Sequence, residues 1–171
     1  TPLHELLDKL PDNQRDNSTA PVFPSELKEV TEGLNPVVYS TLKEATNEIA
    51  LEKGISLSNE NYAKCNKGRM KVKTTVPYDN YSVSFWFRND TGNSSQPITA
   101  YLFSYAKDGD ANQAGENIGI GGKHDKSVTG KIFIWNGKEL NQSIAGFNEI
   151  PEGSWNHVVM VRSNDRVRLY L

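Results

Sequence analysis

The stretch that decides the fold is residues 153–171, which reads GSWNHVVMVRSNDRVRLYL. Two runs rich in β-branched and aromatic residues, 155–162 and 166–171, flank Ser163-Asn164-Asp165, a short polar turn. Apolar and charged side chains alternate along the second run, as they do on a strand with one buried face. The stretch therefore predicts a β-hairpin.

The same period of two recurs upstream of this hairpin. It is present in residues 69–75, 81–88 and 131–135, and residues 101–104 have the composition of a buried strand. Beyond residue 35 only residues 42–48 are compatible with a helix. Many strands separated by turn residues predict an all-β fold, a two-sheet antiparallel sandwich.

The first 35 residues have a different hydrophobic pattern, with helical rather than period-two spacing. Four leucines, Leu3, Leu6, Leu7 and Leu10, recur at helical spacing, and residues 25–32 predict a second short helix. We therefore expect a connector with short helices over residues 1–35 and the β domain over 36–171. The leucines would pack on this domain, on a neighbour or on a partner. Because the chain stops within a predicted strand, we expect the C-terminal end of the domain to be incomplete.

Composition excludes several partners. The 171 residues include 19 basic and 21 acidic side chains, for a net charge of −2, so no basic field predicts a nucleic-acid partner. The apolar runs are too short to predict membrane insertion. The single cysteine, Cys65, excludes an internal disulfide. It is expected to be a spare thiol in a loop, where Lys64 and Lys67 would lower its pKa.

The C-terminal hairpin resembles the late hairpin of laminin-G-like domains. In that family a Trp-x-His-Val pattern, here Trp155 to Val158, leads into Arg-x-Tyr, here Arg168 to Tyr170. Residues 81–87, YSVSFWF, look like the central strand of the family. The Asn-Gly expected after the last strand is missing because the chain ends, and Ser40-Thr41 stands where a Trp and a bulkier residue are expected.

A narrower resemblance involves residues 68–70, 99–104, 108–110 and 118–122, which are similar to the laminin-G-like module of large secreted planctomycete proteins with cytochrome-c-like domains. It implies a concanavalin A-like jelly roll in a bacterial protein that is secreted, periplasmic or at the cell surface. This superfamily includes lectins, adhesion modules, pentraxins and glucanases, so the fold alone does not set the function.

The sequence predicts no enzymatic activity. Glucanases of this superfamily place their acids on one strand as Glu-x-Asp-x-x-Glu, and that motif is absent. His124 and His157 have no nucleophile pattern beside them, and His157 is expected to be structural. The glycines of residues 119–122 precede no helix, so we interpret them as a bend or bulge rather than a phosphate loop.

Aromatic residues with polar neighbours predict a carbohydrate site. Sugars stack on aromatic rings and hydrogen-bond to adjacent polar groups, and Trp86 and Arg88 share one face of a predicted strand. The predicted ligand-binding residues are Trp86, Arg88, Tyr105, Trp135 and Asn136. Alternatively, Trp86 and Trp155 fill the core between the sheets.

Calcium is the only cofactor predicted. Laminin-G-like domains often hold one calcium at the sandwich rim, so the resemblance implies Asp108 and Asp110 as metal ligands. An EF-hand is excluded because Gln113 stands where the loop needs glycine. The alternative is a solvated turn in which these aspartates cap backbone amides.

Together these observations predict a non-catalytic binding or interaction module of a larger secreted protein, with a carbohydrate or protein partner and neighbouring domains on the same chain. The alternatives are a glycan-active hydrolase with an unfamiliar acid pair and a purely structural spacer. Two carboxylates converging in a groove would indicate the hydrolase, and a large exposed apolar patch would indicate the spacer.

If Asp108 and Asp110 hold calcium, a chelator will lower the melting temperature. Saturation at a hundred times the dissociation constant stabilises by about 2.7 kcal/mol, a shift of several degrees. Differential scanning fluorimetry with and without EGTA measures it. The double variant Asp108→Asn/Asp110→Asn should melt identically in both buffers, and an unchanged melting temperature in the unmodified chain would remove the calcium site.

Overall fold

A computed structural model describes residues 42, 48–75, 79–92, 98–105, 115–137 and 142–171. The predicted connector, residues 1–35, and the possible helix at 42–48, except residues 42 and 48 themselves, lie outside this part. The described residues form eleven strands and no helix: β1 (Ile49–Leu51), β2 (Ile55–Leu57), β3 (Ala63–Cys65), β4 (Met70–Val72), β5 (Asn80–Arg88), β6 (Ile98–Tyr105), β7 (Glu116–Gly121), β8 (Lys131–Trp135), β9 (Ser143–Glu149), β10 (Trp155–Ser163) and β11 (Arg166–Tyr170).

The strands form antiparallel sheets. The largest has the order β6-β7-β8-β9, a second has the order β11-β10-β5, and two pairs are β1-β4 and β2-β3. The predicted all-β antiparallel class is confirmed. No helix in the described residues is long and apolar enough to cross a membrane.

The predicted C-terminal hairpin is present with a shorter turn. Ser163 pairs with Arg166, so only Asn164 and Asp165 connect β10 to β11. Asn164 adopts a positive φ of 53°, a backbone conformation that asparagine tolerates better than most residues. Its backbone N–H also donates to the carbonyl of Asp79, 2.7 Å away, at the start of β5.

The chain divides into two compact units, and β5 and β10 contribute residues to both. The first unit includes residues 85–158. Its buried apolar side chains come from two sheets and from Ile150, which follows β9. They are Phe87 and Val158 from the three-stranded sheet, and Ile118, Ile120, Ile132, Phe133 and Ile134 from the four-stranded sheet. Buried faces on two antiparallel sheets are what a β-sandwich requires.

Gly119 lies inside a strand rather than in a bend, and the predicted bulge lies beside it. The register of β6 against β7 shifts between Tyr101, the partner of Gly119, and Phe103. Residues 116–121 form the second strand of the four-stranded sheet, where Gly119 is opposite Phe133. A Cβ on Gly119 would lie 2.6 Å from Cζ of Phe133, far inside contact distance. Glycine is therefore used here to let an aromatic ring pack directly on the backbone.

The second unit contains the two small pairs, with the β2-β3 pair following β1 and preceding β4 along the chain. Glu52, next to β1, forms ion pairs with Arg69 at 2.8 Å and Lys71 at 3.0 Å. Hydrogen bonds from Arg69 and Lys71 lower the pKa of Glu52. All three side chains are substantially exposed, so these pairs contribute little to stability.

Truncation of Ile120 to alanine is expected to cost about 2–5 kcal/mol, because this fully buried side chain would leave a cavity. Ile144→Ala is the matched control, since Ile144 lies in the same sheet and is 69 % exposed. It should change stability by less than about 0.5 kcal/mol. Urea unfolding measures both variants, and equal losses would contradict the assigned core.

Candidate functional site

Trp86 of β5 and His157 of β10 are stacked on one face of the three-stranded sheet. Their ring centroids are 4.9 Å apart with an interplanar angle of 22°. Both side chains are partly exposed, and Phe87, the next residue along β5, is buried on the opposite face. Adjacent residues of a strand point to opposite faces, so this stack lies on the side of β5 away from Phe87.

Arg88 and Trp155 continue the same row of side chains. The guanidinium carbon of Arg88 lies 5.7 Å from the ring centroid of Trp155, within the range of a cation–π contact. Asp90 holds the guanidinium, with Nε donating to Oδ1 at 2.8 Å and Nη2 donating to Oδ2 at 3.0 Å. We call Trp86, Arg88, Trp155 and His157 the tryptophan surface.

Asn89 fixes the end of β5 beside this surface. Its Oδ1 accepts hydrogen bonds from the backbone N–H and the hydroxyl of Thr91, and its Nδ2 donates to the carbonyl of Thr91 at 2.9 Å. Its own carbonyl accepts from the N–H of Gly153, two residues before β10. Asn89 belongs to an Asn-x-Thr sequon, yet it is only 5 % exposed. The side-chain amide of Asn89 therefore has a structural role.

Burial keeps His157 in its neutral form over a wider pH range. Desolvation lowers the pKa of His157 from its ordinary value of 6.5, because burial disfavours the charged ring. The tryptophan surface therefore combines flat apolar rings with one cation, Arg88. Such a surface can stack on the apolar face of a sugar ring and hydrogen-bond to its hydroxyls.

The predicted ligand residues separate into different parts of the molecule. Trp86 and Arg88 belong to the tryptophan surface, whereas Trp135 ends β8 in the four-stranded sheet. Trp135 is paired with Asn117 of β7, and Phe133 is paired with Gly119. Because Trp135 and Phe133 are two residues apart on β8, their side chains lie on the same face of the sheet. Tyr101 contacts Phe133 edge-on, with centroids 6.1 Å apart. These three aromatics form a second row on another sheet.

Asn136 and Tyr105 have other surroundings. The side chain of Asn136 donates to Oε1 of Gln142 and accepts from the N–H of Gln142, which closes the connection between β8 and β9. Tyr105 pairs with Glu116, the residue before Asn117. Since alternate residues face opposite sides, Tyr105 and Trp135 lie on opposite faces of the sheet. The ligand roles of both residues stay predictions.

The predicted calcium ligands, Asp108 and Asp110, lie outside the described residues. Within the described ranges, no three His, Cys, Asp or Glu side chains come together as a metal site. Cys65 is the last residue of β3 rather than a loop residue. Partial burial raises the pKa of its thiol, so the predicted lowering by neighbouring lysines is wrong.

Strand β9 carries a different kind of surface. Phe147 is 97 % exposed and Ile144 is 69 % exposed, although both are large apolar side chains. The register of β9 against β8 shifts between Lys131 and Phe133, which places Phe147 at an irregularity of the strand. These two side chains are the features that favour contact with another protein surface.

Sequence reasoning did not include Trp155 and His157 among the ligand residues. The alternative that Trp86 and Trp155 fill the core holds in part for both residues. Each indole Nε1 is shielded from solvent, while each residue keeps partial exposure. The available signal was that Trp155 and His157 share one face of their strand, as Trp86 and Arg88 do. The pairing of β10 with β5 brings these two pairs of side chains together, and a contact between segments so far apart in the sequence is not visible in the local pattern.

His157 should make stability depend on pH. The neutral ring is favoured in the folded chain, so its contribution is present above pH 6.5. It falls as the pH decreases through the lowered pKa, because the unfolded chain binds the proton first. His157→Phe should flatten this part of the stability profile, measured by urea unfolding between pH 7.5 and 5. An NMR titration placing the pKa of His157 at or above 6.5 would contradict the burial argument.

The sequence of this chain matches one known protein family. The family Laminin_G_3, described as the concanavalin A-like lectin/glucanases superfamily, matches residues 58–171. Comparisons with curated proteins and with solved structures found no match. The match covers strands β3 to β11, which include both larger sheets, and the predicted concanavalin A-like fold is confirmed. The chain therefore belongs to the laminin-G-like family of the concanavalin A-like lectin/glucanase superfamily.

Proposed function

We propose that this domain is a non-catalytic carbohydrate-binding module and that the tryptophan surface holds the ligand. Domains of this family often bind carbohydrates or proteins. The observation that carries the proposal is the cross-strand row in which Trp86 stacks on His157 and Arg88 lies over Trp155. Partly exposed flat rings beside a positioned hydrogen-bond donor are the chemistry that recognises a sugar.

Preorganisation supports this choice among the aromatic rows. The ion pair with Asp90 holds the guanidinium of Arg88 in place. Hydrogen bonds of Asn89 to Thr91 and Gly153 hold the end of β5 against the start of β10. A side chain held before binding loses less conformational entropy when the ligand arrives. The row containing Trp135 offers Tyr101, 51 % exposed, but its Phe133 is buried beneath the surface.

The proposal also includes the wider setting predicted from the sequence. The module would belong to a larger bacterial protein of the planctomycete type, and it would act outside the cytoplasm. Calcium at Asp108 and Asp110 remains part of the proposal, and the chelator experiment decides it. The absence of Glu-x-Asp-x-x-Glu from the sequence supports a non-catalytic role.

A contact role with another protein is the second candidate function. The exposed Ile144 and Phe147 of β9 favour it, because large apolar side chains in water are costly unless they are covered. This candidate includes the structural spacer. A glycan array without any binding would make it the better account.

Replacement of Trp155 should weaken glycan binding. Trp155→Leu keeps an apolar side chain but loses the flat ring, and we expect about tenfold weaker binding, equivalent to about 1.4 kcal/mol. Trp135→Leu is the matched control on the other aromatic row and should bind within about twofold of the unmodified chain. A glycan array followed by calorimetry on the strongest hit measures both.

The reverse order, with Trp135→Leu the weaker binder, would move the ligand to the four-stranded sheet. The same oligosaccharides incubated with the protein should release no new reducing ends. Measurable release that disappears on heat denaturation would contradict the non-catalytic assignment.

A further inference from the structure

The positive charge of the tryptophan surface is already paired with a carboxylate. Arg88 is its cation, and Asp90 engages two of its nitrogens through both carboxylate oxygens. A bidentate pair of this kind is among the stronger charge-assisted contacts in proteins. An incoming carboxylate or sulfate would have to displace Asp90 or lie beside it, and like charges at short range repel.

A second carboxylate lies near the end of β5. The carboxylate of Glu152 lies near Gly92, since its Oε2 would be 3.9 Å from a Cβ built on that glycine. Gly92 and Glu152 belong to the segments that Asn89 and Gly153 join. Asp90 pairs with the guanidinium of Arg88, and Glu152 places a second carboxylate near Gly92, in the segment that follows β5.

His157 does not compensate for these carboxylates. Its ring is partly buried against Trp86, and burial lowers its pKa, which favours the neutral ring. The chain as a whole has a net charge of −2. The chain as a whole therefore provides no net positive field that attracts anions.

We propose that the ligand of the tryptophan surface is an uncharged glycan and that the Arg88–Asp90 pair selects against acidic sugars. This inference rests on the proposed function and names its ligand class. A hydroxyl carries no charge and can lie beside the pair without breaking it. A uronate or sulfate ester beside Arg88 would be repelled by the Asp90 carboxylate, a form of selectivity by repulsion.

The test uses matched glycans that differ only in charge. β-1,4-linked glucan and mannan oligosaccharides are printed beside their C6-oxidised uronate and O-sulfated counterparts, and hits are measured by calorimetry at 50 and 300 mM NaCl. We expect at least one neutral oligosaccharide to bind about tenfold more tightly than its charged counterparts, with the larger ratio at low salt.

The variant Asp90→Asn links this selectivity to the ion pair. It removes the compensating carboxylate, so the ratio between neutral and charged ligands should fall several-fold. Asp125→Asn is the control, since it makes the same charge change in the exposed β7–β8 turn, where asparagine can still accept from Ser127. Its ratio should match that of the unmodified chain.

The possible outcomes distinguish a failure of the neutral ligand class from a failure of carbohydrate binding itself. Tighter binding of uronate or sulfated glycans overturns the neutral ligand class and leaves carbohydrate binding in place. An unchanged ratio in Asp90→Asn overturns the role of the Arg88–Asp90 pair. Binding of no glycan of either class removes the proposed function itself.

Discussion

The pairing of β5 with β10 is the contact on which the candidate site depends. Trp86 meets His157 and Arg88 meets Trp155 because the two strands run antiparallel in one register. The hydrogen bond between Asn89 and Gly153 fixes that register at one end. A slip of one residue would turn Trp155 and His157 to the other face and replace them with Asn156 and the buried Val158.

Burial explains why this register is unique. Val158, Val159 and Met160 are consecutive and essentially inaccessible to solvent, so β10 is covered on both faces at that point. The side chains before them on the strand are only partly covered. The middle of β10 therefore belongs to the core, whereas its first residues, including Trp155 and His157, form part of the candidate site. A buried strand can hold such side chains in fixed positions.

The sequence predicts the strands whose side chains alternate and misses those whose pattern depends on distant contacts. β5 and β11 follow from period-two alternation, because one face of each is apolar. β8 and β10 are covered on both faces, and their β-branched and aromatic composition predicts them instead. β7 does not, since Gly119 is explained only by the Phe133 ring packed on it from the next strand. β9 is missed because Ile144 and Phe147 are exposed, so apolar residues there do not mark a buried face. Likewise the shared strand face of Trp86 and Arg88 could be predicted, whereas their contacts on β10 depend on the strand order.

The most direct test of the account is an NMR titration that follows the indole N–H signals of the three tryptophans. A neutral β-1,4-linked oligosaccharide identified on the array is added to the ¹⁵N-labelled chain. Binding at the tryptophan surface predicts that the signals of Trp86 and Trp155 shift together with one saturation curve while that of Trp135 stays in place. Movement of the Trp135 signal alone would contradict it.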